Sequence, residues 1–177
     1  MSTLRFNLPT FLTLSRIVLI PVFVFTVYHH PLFGAIIFGI ASITDLLDGY
    51  LARRSGEVTK FGIILDPIAD KFLVISALVV LVDMDRLPAW IAITIIVREF
   101  LITGLRVVAL SKDIIIPAEI GGKIKMTAQI LAVLCLILMG SIYTVDLYDI
   151  GTVLIWIALV LSVISGVSYT VSFWRKI

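Results

Sequence analysis

Six apolar runs, each close to the length needed to cross a lipid bilayer, follow one another along the chain with only short breaks between them. They cover roughly residues 11–29, 33–54, 60–82, 88–110, 122–144 and 150–174. A hydrocarbon core about 30 Å thick is crossed by about 20 helical residues. A backbone inside lipid must also satisfy its own hydrogen bonds, which restricts spanning segments to helices and closed barrels. The runs therefore predict an all-α fold: one polytopic membrane bundle of six transmembrane helices, forming a single domain over residues 1–177. Composition agrees, because 60% of the 177 residues are hydrophobic and 15% are charged, outside the usual range of soluble domains. Pro31, Pro88 and the pair Gly121 and Gly122 punctuate the joints, and no internal repeat or separate soluble domain is visible. The first run follows Arg5 but has no small-residue cleavage pattern before His29 and His30, so it reads as a retained span.

Orientation follows from the basic residues, since Lys and Arg collect in cytoplasmic loops and tails. Arg5, Arg16, Arg53, Arg54, Lys60, Arg106, Lys112, Lys123, Lys125, Arg175 and Lys176 all lie near ends that alternate to one side, whereas Arg86 alone falls on the other. Both termini are thus expected in the cytoplasm. A net charge of +2 without a run of Lys and Arg interleaved with aromatics argues against a nucleic-acid partner. The single cysteine, Cys135, excludes a disulfide within the chain and a thiol-ligated metal site.

Charges inside the second and third runs demand an explanation. At 100° per residue, Asp48 lies about 60° from Asp45, and Asp70 about 40° from Asp66, so each pair shares a helix face. Gly49, Ala52 and Arg53 extend the first stripe. An ionised Asp near a span centre costs roughly 2.5–3.5 kcal/mol, and two carboxylates 4 Å apart repel by about 4 kcal/mol at an effective dielectric of 20. A bound cation offsets both, and an all-oxygen ligand set favours magnesium or manganese over zinc. The plainer alternative is that the four Asp residues cap helix ends or pair with Arg53, Arg54 and Lys71. Pro67 leaves a second question open. If it starts the third helix, Asp66 is its N-cap and Gly62 lies in a loop; if the helix runs through it, Gly62 shares the acidic face.

In order, these residues read Asp45, two residues, Asp48, Gly49, two residues, Ala52, Arg53, eight residues, Gly62, three residues, Asp66, three residues, Asp70. That spacing resembles the signature of the CDP-alcohol phosphotransferases, all of whose positions are matched. The resemblance implies six spanning helices, and an enzyme in which an alcohol attacks a phosphorus of a CDP-linked lipid and expels CMP. It also implies two divalent ions held by Asp45, Asp48 and Asp66, with Asp70 completing the site and taking the proton of the attacking hydroxyl. Gly49, Ala52, Arg53 and Gly62, with Asn7 and Thr13 at the same border, would bind the CDP-lipid.

Other stretches bear on the acceptor. Asn7 to Thr10, Leu14 to Arg16, Asp66 to Lys71, the Arg98–Glu99 pair and Gly122 to Lys125 are together similar to the phosphatidylglycerophosphate synthases of that family. The implied reaction transfers the phosphatidyl group of CDP-diacylglycerol to glycerol 3-phosphate, as a homodimer in the cytoplasmic membrane with its active site facing the cytoplasm. Arg98, Arg106, Ser111, Lys123 and Lys125 would receive the acceptor phosphate. Lys123 and Lys125 are equally what the charge bias of cytoplasmic ends produces, whereas Arg98, about ten residues into its span, needs Glu99 or a phosphate as partner. Two alternatives remain: the same chemistry on inositol phosphate, another polyol or a lipid, or an ion transporter that uses the intramembrane carboxylates. Against the latter, the acidic stripes stop near one border, and Asp83, Asp85, Asp146 and Asp149 fall in predicted loops.

Overall fold

A computed structural model describes the backbone over residues 8–55, 60–111, 120–142 and 145–175, and side chains over 18–44, 71–109, 124–140 and 146–175. Six helices account for nearly all of it: α1 (Leu8–His29), α2 (Pro31–Ser55), α3 (Lys60–Asp83), α4 (Ala89–Ser111), α5 (Ile120–Leu138) and α6 (Leu147–Trp174). Two short antiparallel strands, β1 (Ser141–Ile142) and β2 (Val145–Asp146), precede α6, with Ser141 opposite Asp146 and Ile142 opposite Val145. The chain forms two compact units, Met1–Ala77 and Leu78–Ile177.

In the first unit α1 packs along α2. Pro31 supplies the first residue of α2, where its missing N–H costs nothing and its fixed φ suits the helix. Gly34 then lets the two backbones approach: a Cβ there would stand 2.6 Å from Val27 Cβ and 2.7 Å from Val27 Cα. Phe23 and Phe38 fill the contact, both fully buried, with ring centroids 5.7 Å apart. α2 runs unbroken to Ser55, which places Asp45, Asp48, Gly49, Ala52 and Arg53 on one helix. α3 runs from Lys60 through Pro67, so Gly62, Asp66 and Asp70 also share a helix. Of the two readings left open by Pro67, the continuous helix is the one found, with the carbonyl of Ile63 lacking its usual donor.

The second unit begins with the end of α3, from Leu78 to Asp83. Asp85 takes a left-handed φ of 55°, Arg86 N–H donates to Leu81 O at 2.9 Å and Asp85 N–H to Val82 O at 3.1 Å. This is the Schellman arrangement that satisfies orphan carbonyls at a helix end. α5 and α6 form its most extensive contact and α4 packs on α6. The fifth run is shorter than its apolar composition suggested. α5 stops at Leu138 rather than near 144, because Met139 turns to φ 36° and β1 follows Gly140. α6 starts at Leu147, three residues before the expected 150, with the Asp146 carboxylate accepting from Tyr148 N–H as an N-cap. Asp149 lies in the first turn of α6 and so is helical, not in the expected loop. Arg86 is not idle on its side of the chain. Its Nη1 donates to Leu136 O at 3.2 Å and Ile137 O at 2.6 Å, closing last-turn carbonyls of α5 that have no helical donor. Partial burial lowers its pKa from the ordinary arginine value.

The outward faces of these helices are apolar. Val18, Phe25, Leu101, Val107, Val153 and Val167 are each more than half exposed, a distribution that water penalises and lipid does not. Threonine hydroxyls on the same helices donate to their own backbone, as in Thr94 Oγ1 to Trp90 O at 2.7 Å and Thr26 Oγ1 to Val22 O at 2.6 Å. Among the described residues, α6 is the helix long and apolar enough to cross a membrane by length and composition, at 28 residues. Shorter apolar stretches are Val18–His29, Pro31–Thr44 and Ile124–Leu138.

Candidate functional site

The acidic residues occupy matched heights on their own helices. At about 1.5 Å per residue, Asp45 and Asp48 lie about 15 and 10 Å back from the end of α2, and Asp66 and Asp70 about 9 and 15 Å on from the start of α3. Spacings of three and four residues put each pair on one face. An all-oxygen donor set of this kind fits a hard divalent cation. Side chains of Asp45, Asp48, Asp66 and Asp70 lie outside the described residues, as do those of Thr13, Gly49, Ala52, Arg53, Gly62, Ser111 and Lys123, and Asn7 altogether. Among the described residues no group of three or more His, Cys, Asp or Glu could hold a metal.

A second polar centre lies inside the Leu78–Ile177 unit. The Glu99 carboxylate of α4 accepts from Arg98 Nη1 at 3.0 Å and, through the same Oε1, from Lys125 Nζ of α5. Lys125 is 5% exposed. Arg98 is held on its other side by α6: Nε donates to Ser162 O at 2.9 Å and Nη2 to Ser165 Oγ at 2.5 Å. Its stem passes over Gly166, where a Cβ would stand 3.2 Å from Arg98 Cγ. Gln129, one helical turn beyond Lys125, is buried, and its Nε2 and the buried Ser162 Oγ have no hydrogen-bond partner. A charged cluster in an apolar bundle persists only where its members are paired and hydrogen-bonded, and here α4, α5 and α6 each contribute.

Of the expected phosphate-binding residues, the fold thus brings Arg98 and Lys125 together. Arg106 stands apart, about two turns along α4 from Glu99, exposed, with its guanidinium 5.9 Å from the Tyr169 ring centroid. The pairing of Arg98 with Glu99 was legible in the sequence. The reach of Lys125 to the same carboxylate was not, nor were Ser162, Ser165, Gly166 and Gln129. One signal was available: in the apolar run of α6, Ser162, Ser165 and Gly166 fall at spacings of three and four, a small-residue stripe of the kind that admits a partner helix.

Comparison with known proteins adds three observations. The profile of the CDP-alcohol phosphatidyltransferase family matches residues 6–164. The chain is 42% identical over 188 aligned positions to a CDP-diacylglycerol–glycerol-3-phosphate 3-phosphatidyltransferase of Bacillus subtilis (strain 168), covering 97% of each chain. Proteins of the same name from Rickettsia bellii (strain RML369-C) and Haemophilus influenzae (strain ATCC 51907 / DSM 11121 / KW20 / Rd) are 42% and 40% identical, covering 92% and 94% of this chain and 93% and 92% of theirs.

Proposed function

Because the chain belongs to the CDP-alcohol phosphatidyltransferase family, we propose that it transfers the phosphatidyl group of CDP-diacylglycerol to glycerol 3-phosphate, giving phosphatidylglycerophosphate and CMP. The observation that carries this reading is the ungapped acidic signature, Asp45 to Asp70, on two consecutive helices of a chain that matches relatives of that name over nearly its whole length.

In this reading the 1-hydroxyl of glycerol 3-phosphate attacks the phosphorus that bears the diacylglycerol. The bond from that phosphorus to the CMP oxygen breaks as the new one forms. Asp70 accepts the hydroxyl proton, while Asp45, Asp48 and Asp66, with Asp70, hold divalent cations, magnesium or manganese. When bound, these ions neutralise charge on the pyrophosphate and on departing CMP. Gly49 and Ala52 keep the α2 face low for the nucleotide, and Arg53 offers a planar fork to phosphate oxygens. Gly62, Asn7 and Thr13 complete the CDP-lipid contacts.

Lys125 and Arg98, with Arg106, Ser111 and Lys123, receive the acceptor phosphate. Burial of Lys125 supports this over simple charge bias, because a basic residue placed only by topology would stay in the headgroup layer. The apolar outer faces of both units and the match of the family profile across them support a single multi-pass domain. Its six helices are spans, its termini and active site face the cytoplasm, and the protein works as a homodimer in the cell membrane.

The test is an acceptor screen with purified protein and labelled CDP-diacylglycerol. Glycerol 3-phosphate is expected to release CMP and yield phosphatidylglycerophosphate. Release with inositol phosphate or another alcohol in its place would overturn the acceptor assignment while keeping the chemistry.

A further inference from the structure

We propose that Glu99 is a positioning residue for the acceptor, fixing the Lys125 ammonium through an anchor that Arg98 makes to α6. The inference rests on the reading that Lys125 meets the phosphate of glycerol 3-phosphate. A lysine carries four rotatable stem bonds and a point charge, so it serves as a phosphate ligand at full strength only if something holds it. Glu99 Oε1 takes Lys125 Nζ and Arg98 Nη1 together. Arg98 in turn spends Nε on Ser162 O and Nη2 on Ser165 Oγ, and Gly166 leaves no Cβ in the way of its stem.

The order of contacts is therefore α6 to Arg98, Arg98 to Glu99, Glu99 to Lys125. Arg98 has its Nε and one bond from each terminal nitrogen committed within the protein, which makes it the anchor. Lys125 stands at the far end of that order from α6 and is the group that meets the acceptor phosphate. Glu99 joins the two and is mostly buried, its side chain 14% exposed. Thr103, one turn on, donates to Glu99 O at 2.7 Å and keeps its hydroxyl out of the cluster.

The experiment is steady-state CMP release by the full chain in detergent, with glycerol 3-phosphate and CDP-diacylglycerol varied separately. Glu99→Gln is expected to raise KM for glycerol 3-phosphate by about tenfold or more, since a misplacement of about 1 Å at a positioned group can cost up to a hundredfold. KM for CDP-diacylglycerol is expected to stay within about threefold, a split that general loss of folding does not produce. Glu99→Asp retains the charge but draws the carboxylate back by one methylene, and a smaller rise of about threefold in the same KM is expected. It decides the matter if Glu99→Gln yields no folded protein. An unchanged KM for glycerol 3-phosphate in the variant that decides, or an equal rise for both substrates, overturns the positioning role. Lys125→Gln separates this from the underlying reading. If Lys125→Gln raises KM for glycerol 3-phosphate and the Glu99 variants do not, the positioning role fails alone. If Lys125→Gln leaves it unchanged, the acceptor role of Lys125 fails, and the positioning role with it.

Discussion

Replacing Gly34 by Ala tests the close approach of α1 to α2. The added methyl would stand 2.6 Å from Val27 Cβ, 2.7 Å from Val27 Cα and 2.9 Å from Val27 Cγ2, whereas carbon atoms rest about 3.5–4.0 Å apart. α1 and α2 must separate locally by about 1 Å, and one of the obstacles is backbone that no rotamer change can move. Overpacking of this kind costs about 1–3 kcal/mol, and the upper end applies here. Ala returns about 1 kcal/mol through its better helix propensity, leaving a net loss of about 2 kcal/mol. At roughly 2–4 °C per kcal/mol for a chain of this size, Tm should fall by about 4–8 °C. Gly104→Ala is the control: nothing lies within 4 Å of its added methyl, so only the propensity gain remains and Tm should rise by about 2–4 °C. Thermal unfolding in detergent, followed by circular dichroism, reads both. A Gly34→Ala protein as stable as the parent would refute the close approach of α1 to α2 at this point.

Two further variants divide chemistry from scaffold. Asp70→Asn removes the proposed proton acceptor and is expected to lower kcat by about 10²–10⁴-fold with folding intact by size-exclusion chromatography; full turnover would take Asp70 out of the base role. Arg86→Ala loses two charge-assisted bonds to the end of α5, at 2.6 and 3.2 Å. A stability loss of about 1–2 kcal/mol is expected for this half-buried group, read as a lower Tm, with both KM values unchanged.

The helices were the most legible part of the sequence, because runs of about 20 apolar residues leave a backbone little choice. Their ends were less so. The run at 122–144 hid the stop at Leu138, since Met139 and Ile142 are as apolar as the helix before them and only Gly140 marks the break. Asp146 and Asp149 read as loop residues by polarity, yet one caps α6 and the other sits in its first turn, where carboxylates favour the positive end of the helix dipole. The acidic signature was legible as a pattern, because its residues recur at short, regular spacings along two helices. The Arg98–Glu99–Lys125 cluster was legible only between neighbours. Lys125 joins Glu99 across 26 positions and Ser165 joins Arg98 across 67, and no local pattern encodes which helix faces which.

Metal-dependent transfer to glycerol 3-phosphate at the Asp45–Asp70 signature is tested by CMP release from the purified protein in detergent, where no ion gradient exists. Release is expected to require both CDP-diacylglycerol and glycerol 3-phosphate, to stop when divalent metal is chelated, and to return with magnesium or manganese. Release that persists in excess chelator, or that never depends on glycerol 3-phosphate, would contradict it.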